Sequence, residues 1–212
     1  MKPIIGYYGF WVYLTYLSLV SAVVGIFFAF EGNIKYALIC LMISGICDTL
    51  DGRVANLKQR TDREKSYGIQ IDAFADIISF GALPAAIGYS VGQNFDSFGI
   101  ISIAIFAIYV LAALIRLAYF NVIEIELQGK NEKRVYYEGL PVTIVALIIP
   151  VVFSVCIMFD IPIAPTYNVL LLILAGAFVM KVKIYKPKNR WKVVLCLIGV
   201  PILIYLLVYG VI

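Results

Sequence analysis

The sequence predicts an all-α, polytopic helix bundle embedded in a membrane. Of its 212 residues, 63% are hydrophobic and only 14% are charged, whereas charged residues make up about 25% of a typical soluble domain. The apolar residues come in runs long enough to cross a bilayer as helices, which takes about 20 residues each. The chain contains no histidine, so imidazole bases, histidine-bound zinc and histidine-bound haem are excluded. We therefore expect one integral membrane domain over residues 1–212.

Seven apolar segments are candidate membrane spans. They lie near residues 10–30, 34–55, 69–91, 98–121, 140–158, 166–181 and 193–210. The first six form a core over about residues 10–181. The seventh is an additional C-terminal span, in which Pro201 is expected to produce a kink or a re-entrant segment. All four cysteines lie in apolar stretches without metal-ligand spacing, so we expect buried thiols.

The connections between the spans alternate in charge, which predicts the side of the membrane on which each lies. Lys and Arg in short loops stay in the cytoplasm. Fifteen of the 17 basic residues lie near the N-terminus or in three connections, at 53–65, 123–138 and 181–192. The two others are Lys35 and Arg116. The other connections are short and carry acidic residues, at 31–33, 91–97 and 160–165. We expect a multi-pass protein of the cell membrane with a cytoplasmic N-terminus and no nucleic-acid partner.

A helix-start signal precedes the third span. Thr61 and Glu64 have the spacing of a capping box, in which each side chain accepts a hydrogen bond from the backbone N–H of the other residue. The third helix is therefore predicted to begin in the cytoplasm, roughly two turns before Gly68.

Four aspartates lie inside or at the edge of spans, on the second and third helices only. Asp48 and Asp51 are three residues apart, and Asp72 and Asp76 are four apart, so each pair shares one helix face. Carboxylates at such depth cost a few kcal/mol each unless they are paired or bind metal. If the two helices face each other, four oxygen ligands converge and balance the charge of two divalent ions. Oxygen ligands favour Mg²⁺, Mn²⁺ or Ca²⁺.

Small residues accompany these acids. Gly52 and Ala55 follow Asp51, and Gly68 precedes Asp72 by one turn, which leaves room for a ligand near the backbone. The alternative is helix packing through small residues, which is common in membranes. A divalent-cation transporter is a remote alternative for the whole site, because the acids cluster in the cytoplasmic half rather than at the bilayer midplane.

The segment closely resembles a known family signature. It reads Asp48-x-x-Asp51-Gly52-x-x-Ala55-Asn56, then eleven residues, then Gly68-x-x-x-Asp72-x-x-x-Asp76. The CDP-alcohol phosphatidyltransferases carry D-x-x-D-G-x-x-A-R, a shorter spacer, and then G-x-x-x-D-x-x-x-D. Asn56 departs from this pattern, because it stands where the family has arginine.

The resemblance implies a six-helix core, usually a homodimer, that transfers a phospho-group from a CDP-linked lipid to an alcohol and releases CMP. It implies that Mg²⁺ or Mn²⁺, as two ions and with Ca²⁺ as another occupant, binds Asp48, Asp51, Asp72 and Asp76. Asp76 would also be the catalytic general base. The residues implied in binding the CDP group are Asp48, Asp51, Gly52, Arg53, Ala55, Asn56 and Gly68.

Further segments resemble the branch of this family that uses serine, the phosphatidylserine synthases. They are Phe80-Gly81, Pro84-Ala85, Arg116-Leu-Ala-Tyr-Phe-Asn121 and Gly139-Leu-Pro141. This branch implies CDP-diacylglycerol as the donor and L-serine as the acceptor, with Arg116 and Asn121 as candidates for the acceptor pocket. Another reading of Arg116 is a side chain that extends to the inner membrane surface. A different acceptor, such as glycerol phosphate or inositol phosphate, and a CDP-archaeol donor stay open.

Overall fold

The computed structural model describes residues 5–55, 59–94, 99–130, 136–181, 183–185 and 201. Within these ranges the chain forms six helical rods, which confirms the predicted all-α helix bundle. The predicted seventh span, 193–210, lies outside the described residues apart from Pro201.

The rods follow each other in the predicted order. A 3-10 turn, Phe10–Val12, leads into α1, Tyr13–Phe30, and α2 covers Ile34–Ala55. The third rod is α3, Asp62–Asp76, a π-helical turn, Ile77–Ala82, and α4, Leu83–Asn94. The fourth rod is α5, Ile100–Lys130. A second 3-10 turn, Val142–Ile144, precedes α6, Val145–Met158, and the last rod is α7, Ile163–Val179.

Several rods have the length and composition of membrane helices. Among the described residues, three are long and apolar enough to cross a bilayer: Phe10–Phe30, Asp62–Gln93 and Ile100–Leu127. Val142–Met158 and Ile163–Val179 are apolar but shorter. Large apolar side chains such as Phe27, Leu111 and Ile173 are exposed on the bundle surface. Such a surface suits a lipid environment, so the chain is a membrane protein.

Close packing of small residues positions the helices that carry the acids. α2 packs along α1 and against α4, the π-helical turn and α6. A Cβ at Gly45 of α2 would lie 2.5 Å from the Cβ of Ala146 in α6. A Cβ at Gly25 of α1 would lie 2.7 Å from the Cβ of Cys40 in α2. These glycines let the backbones approach closely, as is common in membrane bundles, and fix α2 beside the third rod.

The capping box forms as predicted and starts α3. The Glu64 backbone N–H donates to Thr61 Oγ1 at 3.3 Å, and the Thr61 backbone N–H donates to Glu64 Oε2 at 2.9 Å. The thiols of Cys40, Cys47 and Cys156 are free and buried, also as predicted, whereas Cys196 lies outside the described residues.

Two features of the basic connections differ from the sequence-based expectation. The predicted loop at 123–138 was wrong at its start, because α5 stays helical as far as Lys130. Glu, Leu, Gln and Lys are good helix formers, so the helix outlasts the apolar run that marks the span. In addition, Tyr136–Glu138 (β1) pairs antiparallel with Lys183–Tyr185 (β2), joining the two basic connections.

Candidate metal and donor site

Three of the four aspartates converge where α2 meets the third rod. One carboxylate oxygen each from Asp48, Asp72 and Asp76 lies within 4.8 Å of the others. Asp76 is 7% exposed, whereas Asp48 and Asp72 are half-buried. The cluster is therefore closed at Asp76 and accessible at the other two carboxylates.

The fourth aspartate borders this cluster. The Asp51 carboxyl group contacts that of Asp72 and accepts a hydrogen bond at 3.4 Å from the Thr15 hydroxyl of α1. Thr15 is itself buried. The sequence did not single it out, because a lone threonine in an apolar helix carries no signal of a site 36 residues away.

Electrostatics make this arrangement a candidate cation site. Two carboxylates about 5 Å apart repel each other by about 3 kcal/mol at an effective dielectric constant of about 20. The buried Asp76 carboxyl group also contacts that of Asp48, so each member of the group faces another acid. A divalent cation among these oxygens would remove the repulsion, and a set of oxygen ligands suits Mg²⁺ or Mn²⁺. The acidic triad could therefore bind a metal.

The π-helical turn begins directly after Asp76. Tyr109 of α5 donates from its hydroxyl to the Phe80 carbonyl oxygen at 2.6 Å, and both side chains are fully buried. Tyr167 of α7 donates to the Pro84 carbonyl oxygen at 2.8 Å. A buried tyrosine in an apolar helix needs a hydrogen-bond partner. The position of Tyr109 and Tyr167 in apolar helices was therefore the only sequence signal of these two contacts. These bonds fix the backbone behind Asp76, and single π-helical turns of this kind often occur at functional sites.

The small residues of the signature differ in their surroundings. Gly52 is exposed, and a Cβ added there would meet no atom within 4 Å. A Cβ at Gly68 would lie 3.2 Å from Arg60 Nη1 and 3.4 Å from the Trp11 ring. Ala55 is half-buried at the end of α2. Asn56 and the side chain of Arg53 lie outside the described part of the structure.

An aromatic cluster lies beside Gly68. Trp11 is 2% exposed, and the Arg60 guanidinium carbon lies 5.4 Å from the centre of its ring. The Tyr67 ring meets Trp11 edge-on, with 6.4 Å between centroids. No sequence pattern connects Trp11 with Arg60, because only the tertiary packing of Trp11 against Tyr67 and Gly68 of α3 brings them together.

The two acceptor candidates lie on α5. Arg116 is 6% exposed, its Nε donates to the Leu140 carbonyl oxygen at 3.2 Å, and its guanidinium lies over the Phe120 ring. This burial contradicts the reading in which Arg116 extends to the membrane surface. Asn121 is half-buried. Gly139, next to Leu140, has a φ of +76°, and a Cβ there would lie 2.9 Å from the Phe178 carbonyl oxygen.

The chain is similar in sequence to enzymes that are named as phosphatidyltransferases or synthases of serine lipids. A 38% identical relative is the CDP-diacylglycerol–serine O-phosphatidyltransferase of Saccharomyces cerevisiae, matched over 54% of this chain and 40% of the relative. An enzyme of the same name from Helicobacter pylori strain 26695 is 34% identical over 68% of this chain and 54% of the relative. The archaetidylserine synthase of Methanothermobacter thermautotrophicus is 32% identical over 64% of this chain and 54% of the relative.

The chain spans about half the length of these relatives, 40% to 54%. The profile of the CDP-alcohol phosphatidyltransferase family matches residues 12–182. That match includes α2 and α3, which carry the converging aspartates, and reaches past the end of α7. Since it covers most of the chain, the protein belongs to the CDP-alcohol phosphatidyltransferase family.

Proposed function

We propose that the protein transfers a phosphatidyl group from CDP-diacylglycerol to the hydroxyl of L-serine, forming phosphatidylserine and releasing CMP. The observation that carries the proposal is the convergence of Asp48, Asp72 and Asp76 within 4.8 Å, at positions of the family signature. The names of the yeast and Helicobacter relatives support serine as the acceptor.

The proposed cofactor is Mg²⁺ or Mn²⁺, held by Asp48, Asp72 and Asp76 with Asp51 beside them. Three clustered carboxylate oxygens fit such an ion, and four carboxylates balance two of them; Ca²⁺ also accepts this ligand type. When bound, the metal neutralises the diphosphate and stabilises the charge on departing CMP.

A residue of the chain accepts the proton of the serine hydroxyl. The serine oxygen forms a bond to the lipid-side phosphorus, and the bond from that phosphorus to the oxygen bridging to CMP breaks. The electron pair of the broken bond leaves with CMP. The hydroxyl proton passes to the Asp76 carboxylate, whose burial keeps competing water away. Gly52, where a Cβ would meet no atom within 4 Å, leaves space for the donor beside Asp51.

We further propose that Arg116 and Asn121 line the acceptor pocket. A guanidinium is complementary to the carboxylate of serine, and the bond from Arg116 to the Leu140 carbonyl holds its side chain in one orientation. The active site and the N-terminus would face the cytoplasm of a cell-membrane protein, and the functional unit would be a homodimer. Cross-linking in the membrane tests the dimer.

The proposed activity is tested by CMP release from the purified protein in detergent. CDP-diacylglycerol is supplied with Mn²⁺ or Mg²⁺, and serine is compared with glycerol phosphate and inositol phosphate. We expect release that depends on serine. Release with another alcohol alone would reject serine as the acceptor, and no release with any alcohol would reject the transferase.

A CDP-archaeol donor is a second candidate, favoured by the 32% identity to an archaetidylserine synthase. Both donors present the same CDP group and differ in the lipid. The ratio of kcat/KM for CDP-diacylglycerol and CDP-archaeol decides between them.

A further inference from the structure

The chain lacks one positive charge that its signature implies. Asn56 replaces the arginine that follows the conserved alanine, so the amide cannot balance charge on a substrate phosphate. The metal would be shared between the carboxylates and the donor's diphosphate, so the diphosphate still lacks the fixed cationic side chain that the signature arginine provides. Another basic side chain beside the signature could take that role.

Arg60 lies in a position to pair with the diphosphate of the donor. Its Nη1 lies 3.2 Å from the position that a Cβ would take at Gly68, the signature glycine of α3. Gly68 and Asp72 are four residues apart on one helix face, about 6 Å along the axis. The guanidinium, which lies beside Gly68, is therefore about one helical turn from Asp72 along α3.

Trp11 holds the Arg60 side chain in this place. The guanidinium carbon is 5.4 Å from the centre of the buried indole ring. Within the described residues the Trp11 Nε1 has no hydrogen-bond partner, so its contribution is the ring itself. The N–H donors of a guanidinium lie in the plane of the group itself, so a guanidinium over an aromatic face can still present a fork of donors to a phosphate.

Of the neighbouring basic residues of α3, one forms a salt bridge and the other is exposed. Lys65 pairs with Asp62 at 3.1 Å, and Arg63 is exposed to solvent. Arg60 is half-buried, which leaves part of its surface accessible to a ligand. In the part of the chain that the structure describes, no carboxylate pairs with its guanidinium.

We propose that Arg60, which lies over the Trp11 ring, binds the diphosphate of the CDP-linked donor and replaces the signature arginine that is absent at position 56. This inference rests on the proposed function, because it takes CDP as the donor group. It adds a binding residue outside the signature, placed by an aromatic residue from the first turn of the bundle.

Binding of CDP to the full-length protein tests the inference without requiring turnover. Calorimetry in detergent with saturating Mn²⁺ compares the wild type, Arg60→Gln and the matched control Arg63→Gln. We expect Arg60→Gln to weaken CDP binding by roughly tenfold or more, the usual effect of losing a charge-assisted hydrogen bond. Arg63→Gln removes the same charge from an exposed position and should stay within about twofold.

Kinetics separate a binding role from a structural one. Arg60→Gln should raise KM for CDP-diacylglycerol and leave KM for serine unchanged. If Arg60→Gln does not fold, Arg60→Lys decides, because it keeps the charge without the flat fork and should bind CDP roughly three- to tenfold more weakly. Wild-type affinity in the folded Arg60 variant would overturn the inference, and so would an equal loss in Arg63→Gln.

Restoring the signature arginine gives an independent check. Asn56→Arg should recover CDP affinity in the Arg60→Gln background and add little to the wild type, because the two residues would share one role. Equal gains in both backgrounds would contradict that sharing. If the wild type itself fails to bind CDP, the proposed function is wrong. If the wild type and the Arg60 variants bind CDP equally well, only this inference is wrong.

Discussion

Asp76 differs from the other acids in burial, and this difference supports the role of base that we propose for it. Its carboxylate is almost inaccessible, while Asp48 and Asp72 are half-open. A base that accepts the serine proton benefits from a dry position. The half-open Asp48 and Asp72 would be better placed to bind the metal and the diphosphate of the donor.

Asp76→Asn should abolish transfer while the fold persists. Asparagine has nearly the same shape but cannot accept the proton, so we expect kcat to fall by at least about 100-fold. Asp62→Asn, an exposed acid at the start of the same helix, is the matched control and should retain activity. Normal turnover in Asp76→Asn would remove it as the base. Melting temperature and Mn²⁺ binding verify that the site is otherwise intact.

Arg116→Gln should raise KM for serine more than KM for the donor. The change removes the charge that would meet the serine carboxylate, and we expect an increase of about tenfold or more. Because Arg116 also supports Leu140, melting is measured in parallel. Equal changes in both KM values would indicate a structural role instead.

At the residue scale, spacing alone identified the four acids. Their three- and four-residue separations place them on helix faces that the fold then brings together. Thr15, Trp11, Arg60 and Tyr109 could not be assigned in the same way. Each of them contacts another element of the fold, and the spacing of residues along the sequence does not reveal such a contact.

The helices themselves depend on small residues for two different reasons. A Cβ at Gly45 would lie 2.5 Å from Ala146, whereas a Cβ at Gly52 meets nothing within 4 Å. Gly45 is therefore required by packing between α2 and α6, while the space at Gly52 is available to a ligand.

Alanine at these two positions should separate stability from function. Gly45→Ala should lower stability by about 1–3 kcal/mol through overpacking. Gly52→Ala should leave the melting temperature unchanged or slightly higher, since alanine favours helix, yet raise KM for CDP-diacylglycerol. Thermal melting and steady-state kinetics of both variants check this. Unchanged kinetics in Gly52→Ala would show that the open space at Gly52 does not hold the donor.

At the element scale, hydropathy predicted the six rods and the capping box predicted the start of α3. The π-helical turn after Asp76 was not predicted, because its Phe80 carbonyl oxygen is bonded to Tyr109 of another helix, and hydropathy does not show such a contact. The β1–β2 pair was also missed. Its two strands are three residues each and come from distant connections, so no alternation was long enough to recognise.

The charge pattern of the whole molecule predicts its orientation. The capped start of α3 and the open side of the acid cluster lie toward the same end of the third rod, where the basic 53–65 connection is. A water-soluble CDP group and serine would enter there, and the lipid tails would remain in the bilayer.

Cysteine labelling in sealed membrane vesicles tests this orientation. The native cysteines among the described residues are buried, so an introduced thiol reports its own position. Ile161→Cys, in a predicted external connection, should react with an impermeant reagent in right-side-out vesicles. Gln59→Cys, in the basic connection, should react only after permeabilisation. The reverse pattern would place the active site outside.

The most direct test of the central claim is the metal dependence of phosphatidylserine synthesis by the purified protein. CDP-diacylglycerol and labelled serine are supplied after divalent ions are removed by chelation, and again after Mn²⁺ or Mg²⁺ is restored. We predict labelled phosphatidylserine only with the metal present, and none from Asp76→Asn under either condition. Synthesis that persists without divalent metal, or the absence of labelled lipid when metal and both substrates are present, would contradict the proposed site.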